Sequence, residues 1–187
     1  GHLGDLVSIY VERYTYQKVK TALRAVRSGV SDEIVSSQVL PEENEANKQW
    51  LELVKNSNNL ADAVSALSGT KFGKVLSSVE DSNNLMALED ALDRHYYHDA
   101  TEKLRAGASS HPQLLKYLRT EIDHRNVINL FRALKQGLSS DKRNELMLQG
   151  GHALNSTILK QAAEAETEEA LIEILRRAQN FNDSGFD

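Results

Sequence analysis

Val19-Lys20-Thr21-Ala22-Leu23-Arg24-Ala25, with Gly29 and Ser31 behind it, comes back 108 residues later as Val127, Arg132-Ala133, Gly137 and Ser139. The offset persists downstream, where Val39-Leu40 falls on Met147-Leu148 and Ala63-Val64-x-x-Leu67 falls on Leu171-Ile172-x-x-Leu175. One insertion would have broken this register. A constant offset through several loops implies two copies of one helical unit, and modules built by stacking copies present surfaces more often than catalytic pockets.

The reading places a complete unit at residues 1–110 and a second, truncated one at 111–187. Leu85 to Ala106 of the first copy would correspond to positions beyond 190, past Asp187, so the second copy lacks the counterpart of its own long helix. Either the chain is part of a longer one or another molecule fills the gap. Gly1-His2 reads as a scar of tag removal and favours the fragment. A groove left by an absent helix would also invite self-association.

Composition bounds the rest. A chain of 187 residues has room for one domain or two small ones and a sizeable core. Its net charge of -5 argues against a nucleic-acid partner, which needs a basic face. Without cysteine there are neither disulfides nor thiolate metal sites, which fits a reducing compartment. No apolar run approaches the ~20 residues that a helix needs to span a bilayer. Two prolines amid abundant Leu, Ala, Glu, Lys and Gln make the class all-α.

Periodicity and breakers predict the helices. The first runs from about Leu3 to Ser28, with Leu6, Val7, Tyr10, Tyr14, Val19, Ala22, Leu23 and Val26 as its apolar stripe and Gly29 as its stop. Ser31 caps a short helix that Pro41 ends at Leu40. Further helices are expected at 43–55, 61–67 and 72–79. A long one from Leu85 ends at Gly107 and buries Leu88, Leu92, Tyr96 and Leu104. Pro112 opens a second long helix to Gln136, in whose stripe Asn126 stands out, which calls for a solvated groove or a hydrogen-bond partner. Short helices near 141–148, 154–163 and 168–179 precede a frayed tail.

Candidate chemistry is sparse. Gly69-Thr70-Lys71-Phe72-Gly73-Lys74-Val75 superficially resembles a phosphate loop, but its glycines are one residue too close and Val75 stands where Ser or Thr is needed. Glu121-x-x-His124 has the spacing by which one helix offers a carboxylate and an imidazole to a di-metal centre. No second such pair exists, and His95 and His98 would have to supply the missing ligands. Asn155-Ser156-Thr157 and Asn182-Asp183-Ser184 match the glycosylation sequon without a secretion signal. No G-x-S-x-G occurs, and no nucleophile, base and orienting acid can be nominated. Arg24 and Arg132, at matching positions, are candidates for partner binding or, the favoured reading, for carboxylate clamping within the fold through their planar fork.

Three stretches together resemble the family of C subunits of A/V-type ATPases, to which the d subunit of the vacuolar enzyme is related. They are Leu88-Glu89-Asp90-Ala91-Leu92-Asp93-Arg94-His95-Tyr96-Tyr97, Glu121-Ile122-Asp123-x-x-Asn126-Val127 with Leu130, Arg132 and Gly137, and Gly69-Thr70-x-Phe72-Gly73-Lys74-Val75-Leu76. The residues carrying the likeness are Arg24, Gly69, Phe72, Gly73, Glu89, Leu92, Asp93, Arg94, Tyr97, Glu121, Asp123, Asn126 and Arg132, with structural roles implied for them.

The resemblance implies three related helical units arranged as a funnel. Of these, the present chain carries about one and three-quarters. It also implies a non-catalytic rotor socket without cofactor at the cytoplasmic face of the membrane, seated on the proteolipid ring and receiving the central shaft. Ion transport and ATP synthesis or hydrolysis would be coupled through it. A helical-repeat interaction scaffold and a carboxylate/histidine di-metal protein are the alternatives. The scaffold's period fits poorly, since 108 residues far exceeds the ~34 to 47 of common helical solenoids.

Overall fold

The computed structural model describes residues 2–106 and 111–185, with side chains described for all of these except 2, 3, 5 and 179–185. Ten α-helices and no strands occur among the described residues. They are α1 (His2–Ser28), α2 (Asp32–Ile34), α3 (Lys48–Lys55), α4 (Leu60–Ala66), α5 (Gly73–Ser77), α6 (Leu85–Ala106), α7 (Pro112–Lys135), α8 (Ser140–Glu145), α9 (Ser156–Ala163) and α10 (Glu168–Gly185). Tertiary packing groups them into two compact units, Gly1–Tyr96 and Tyr97–Asp187, with the division falling inside α6. The expected stop at Gly107 lies outside the described residues, as do the side chains of the Asn182 sequon.

Local chemistry explains most boundaries. Gly29 and Gly137 close α1 and α7 in the left-handed region, at φ 66° and 70°, where a side chain would be strained. Two residues beyond each glycine, a serine starts the next helix. Ser31 Oγ accepts from the Ile34 amide and Ser139 Oγ from the Lys142 amide, both at 3.3 Å. Asn59 and Asn155 cap α4 and α9 in the same way, accepting from Asp62 at 2.8 Å and Ile158 at 3.0 Å. The Asn155 sequon therefore has a helix-capping role.

Three expectations need correction. The short helix after Ser31 is α-helical for one turn only and then widens into a π turn, Val35–Val39, closed by the Leu40 amide on the Val35 carbonyl at 2.7 Å. Pro41 bars Leu40 from helical geometry, and the widened turn delivers the fully buried Leu40 to the core. On α1, Val7, Tyr10 and Tyr14 lie exposed, while Ile9, Tyr16, Val19, Ala22 and Leu23 form the buried face. Each residue turns the helix by about 100°, so Tyr10 is already off the face that Ile9 begins. α10 continues past Gln179 to Gly185, because no Pro or Gly interrupts it sooner.

In the first unit, α1, α3, α4, α5 and the start of α6 contribute the buried residues Val19, Leu23, Trp50, Leu60, Leu76, Leu88 and Leu92. Tyr16 is its aromatic hub, edge-on to Phe72 at 5.1 Å and tilted against Tyr96 at 5.6 Å. In the second unit, Leu130, Met147, Leu154, Leu159, Ala162 and Leu171 pack α7, α9 and α10 together.

Candidate functional site

The residues singled out from the sequence fall into interhelix ties. In the first unit, α6 is fastened to α1 along one line. Arg13 Nε donates to Tyr96 Oη at 2.9 Å, Lys20 Nζ pairs with Asp93 Oδ1 at 2.8 Å, and Arg24 pairs with Glu89. Lys20, Arg24, Glu89 and Asp93 each lie one helical turn from the next charge on their own helix, so the antiparallel contact reads as a zipper. The Lys20–Asp93 pair is mostly buried and the Arg24 head is mostly in solvent. Leu92 is fully buried beside this line. Arg94 buries its Nε without a hydrogen-bond partner.

The Gly69–Leu76 segment is a packing turn. Thr70 Oγ1 donates to the Leu67 carbonyl at 2.6 Å and accepts from the Phe72 amide at 3.2 Å, folding the chain so that Phe72 enters the core. A Cβ on Gly73 would collide with the Ser68 carbonyl, so the close backbone approach requires glycine. Gly69 has open space around it, and nothing in the structure explains a glycine there.

In the second unit, α7 holds the loop between α8 and α9 by two polar side chains. Asn126 is wholly buried; its Nδ2 donates to the Leu148 carbonyl at 2.8 Å and its Oδ1 accepts from the Leu148 amide at 2.7 Å. Of the two expectations for this position, a solvated groove or a partner, the partner is found. One turn earlier, Asp123 accepts from the amides of His152, Ala153 and Leu154 at 3.0, 2.7 and 3.2 Å. Gly151 lies so close to that carboxylate that a Cβ would overlap it. With three backbone donors on its two oxygens, Asp123 works as a loop anchor.

Tyr97 donates to Glu121 Oε2 at 3.3 Å, tying α6 to α7 within the second unit. Arg132 lies half-buried on α7. Among the described residues no three His, Cys, Asp or Glu side chains converge as metal ligands. His98 and His124 are exposed, and His95 is tilted against Tyr16 at 6.2 Å.

Sequence reasoning missed two ties. Arg143 donates through Nε to the Leu138 carbonyl at 2.7 Å and through Nη1 to the Ala165 carbonyl at 2.6 Å, joining α8 to the end of α9. Asn47, fully buried, donates to the Pro41 carbonyl at 3.0 Å. Neither belongs to a periodic pattern, and all three acceptors are backbone carbonyls that carry no side-chain signal.

One cleft of about 580 Å³ opens on the second unit between α7 and α10, with Val127, Phe131, Ile172 and Leu175 as its apolar walls and His124 and Arg176 at its rim. Thr120, whose Oγ1 donates to the Lys116 carbonyl at 2.9 Å, and Asp123, which is held by the loop amides, also line it. No helix of the described residues is long and apolar enough to cross a membrane.

The described residues define an all-α protein in which the polar side chains that stand out tie helices to helices and loops. Comparison with known proteins supplies the family: residues 1–184 match the ATP synthase (C/AC39) subunit family, and the chain belongs to it. It is 30% identical to the C subunit of the A-type ATP synthase of Haloquadratum walsbyi over 98% of this chain and 53% of the relative. The same protein of Haloferax volcanii is 30% identical over 90% of this chain and 49% of the relative, and that of Methanosphaera stadtmanae 23% over 96% and 47%. The chain thus spans about half the length of the curated relatives it matches. No solved structure matches.

Proposed function

We propose that the chain is part of a non-catalytic coupling element in the central stalk of an A/V-type rotary ATPase. It joins the membrane proteolipid ring to the central shaft, so that proton or sodium transport is linked to ATP synthesis or hydrolysis. It works at the cytoplasmic face of the membrane as a peripheral component and requires no cofactor. Within it, two related helical bundles, the second incomplete, belong to a funnel-like repeat.

The observation that carries this reading is the use made of the family's charged residues. Glu89, Asp93 and Asp123 are engaged by internal partners that bind distant segments together. A coupler must resist twist, and close-packed helices with buried polar cross-ties supply stiffness without chemistry. The test is made in the assembled complex. Asp123→Ala is expected to lower the ions moved per ATP while leaving ATP hydrolysis running. Recovery of the native protein with soluble partners only, and never with the rotary complex, would exclude the coupling role.

A further inference from the structure

From Lys103 to Thr120 the sequence carries four Lys or Arg residues, Lys103, Arg105, Lys116 and Arg119, and no Asp or Glu, in a chain whose net charge is -5. The run falls on the end of α6 and the start of α7, both in the second unit. Tyr97 and Glu121, which tie these two helices, stand equally far from Ala106 and Pro112, so the four cations gather at one end of the helical pair. Arg13 to Ser31 is likewise without acidic residues, but there the fold supplies the partners: Asp93 for Lys20, Glu89 for Arg24 and Tyr96 Oη for Arg13.

At the end of the α6–α7 pair the partners run out. Arg105 is met by Glu102 at 3.1 Å in solvent. Lys116 and Arg119, one turn apart on α7, have no partner for their charged groups among the described residues, and Arg119 Nε is buried in that state. Asp123, the carboxylate one turn further on, is engaged by the amides of His152, Ala153 and Leu154. A guanidinium N–H withdrawn from water without an acceptor is unfavourable, so this arrangement calls for an acceptor from outside. Between the two cations Tyr117 is 55% exposed, and Tyr and Arg are the side chains most often used as anchors in protein interfaces.

We propose that this end of the α6–α7 pair is a docking surface for an acidic segment of another polypeptide, which brings one carboxylate to Arg119 and a second to Lys116. The planar fork of Arg119 suits a carboxylate, and charge complementarity selects an acidic partner. An anionic lipid surface fits less well. It calls for a larger basic cluster and inserted apolar side chains, whereas Arg105 is already paired and Tyr117 is the one large apolar side chain fully exposed among the described residues of this stretch. The proposal rests on the chain's being a subunit of a larger complex.

The test uses the full-length chain in the assembly isolated from native membranes. A carbodiimide joins a lysine to a carboxylate in direct contact, and mass spectrometry of the digest identifies both residues. Lys116 is expected to be linked to an Asp or Glu of another polypeptide, and Lys116→Arg to lose the link while the assembly holds. Lys116→Glu and Arg119→Gln are each expected to release the chain at no more than about half the salt that releases the native one, because the contact is ionic. Neither removes an internal partner, so the melting temperature of the free chain should stay within about 2 °C. Links confined to carboxylates of the same chain would overturn the proposal. So would acetylation of Lys116 at equal rates in the free chain and in the assembly. Protection of Lys116 by vesicles of phosphatidylserine and phosphatidylcholine, without a link to another polypeptide, would overturn it in favour of a membrane contact. The readout is a contact and not ions moved per ATP, so its failure is distinct from failure of the coupling role.

Discussion

Asn126 satisfies both polar groups of Leu148, donating to its carbonyl at 2.8 Å and accepting from its amide at 2.7 Å, with neither residue open to solvent. A side-chain amide is the one neutral group that offers a donor and an acceptor in the geometry of a backbone partner. It stands in for a strand or helix neighbour that the loop around Leu148 does not have.

Asn126→Ala leaves an amide and a carbonyl buried without partners and is expected to destabilise the chain by about 3 kcal/mol, two unmade bonds at roughly 1–3 each with some relaxation. Urea unfolding checks this. Asn126→Asp, which loses the donor and adds a buried charge, should be at least as harmful, whereas a loss below about 0.5 kcal/mol for the alanine variant would mean that water replaces the side chain.

The zipper between α1 and α6 should be unequal along its length. Asp93→Asn leaves the mostly buried Lys20 without its counter-charge and is expected to cost about 2 kcal/mol, below the cost of a fully buried pair. Arg24→Ala removes a head that is 61% exposed and should cost under about 1 kcal/mol, falling further in high salt. Double-mutant cycles for both pairs measure the difference.

Of the two glycines in the Gly69–Gly73 turn, only the second is sterically required. Gly73→Ala pushes a methyl into the Ser68 carbonyl and is expected to lower stability by about 2 kcal/mol or more, since the obstacle is backbone. Gly69→Ala meets nothing and should stay within about 0.5 kcal/mol. Thermal melts of the two single variants give the comparison.

Arg143→Met keeps much of the aliphatic stem but removes the donors to the Leu138 and Ala165 carbonyls. The expected loss is about 2 kcal/mol, since charged donors to backbone acceptors are stronger than neutral ones. Hydrogen exchange should quicken at the end of α9 and leave α3 unchanged. Uniform quickening across both units would contradict a local tie.

Much of the helical layout was legible because its signals are local. Asp81-Ser82-Asn83 before Leu85 and the Leu88, Leu92, Tyr96 and Leu104 spacing place α6 where it is found, with those four residues buried. The N-terminal face of α1 was not legible. Tyr10 and Tyr14 are as apolar as Ile9 and Tyr16, and only the approach of other segments selects between two neighbouring faces of one helix. Likewise the π turn at Val35–Val39 depends on where Leu40 must be buried, a matter of the core and not of the residues in the turn.

For the site, the sequence by itself singled out the residues: Glu89, Asp93, Asp123 and Asn126 stand in motifs that can be read without coordinates, and the family resemblance rests on those motifs. Only the tertiary structure decided their partners. Lys20 lies 73 residues from Asp93 and Asp123 lies 29 to 31 from the amides it holds. Helix periodicity is written within a few turns of chain, whereas a cross-tie depends on how distant segments meet, and the backbone amides and carbonyls that Asp123, Asn126 and Arg143 engage are the same at every position.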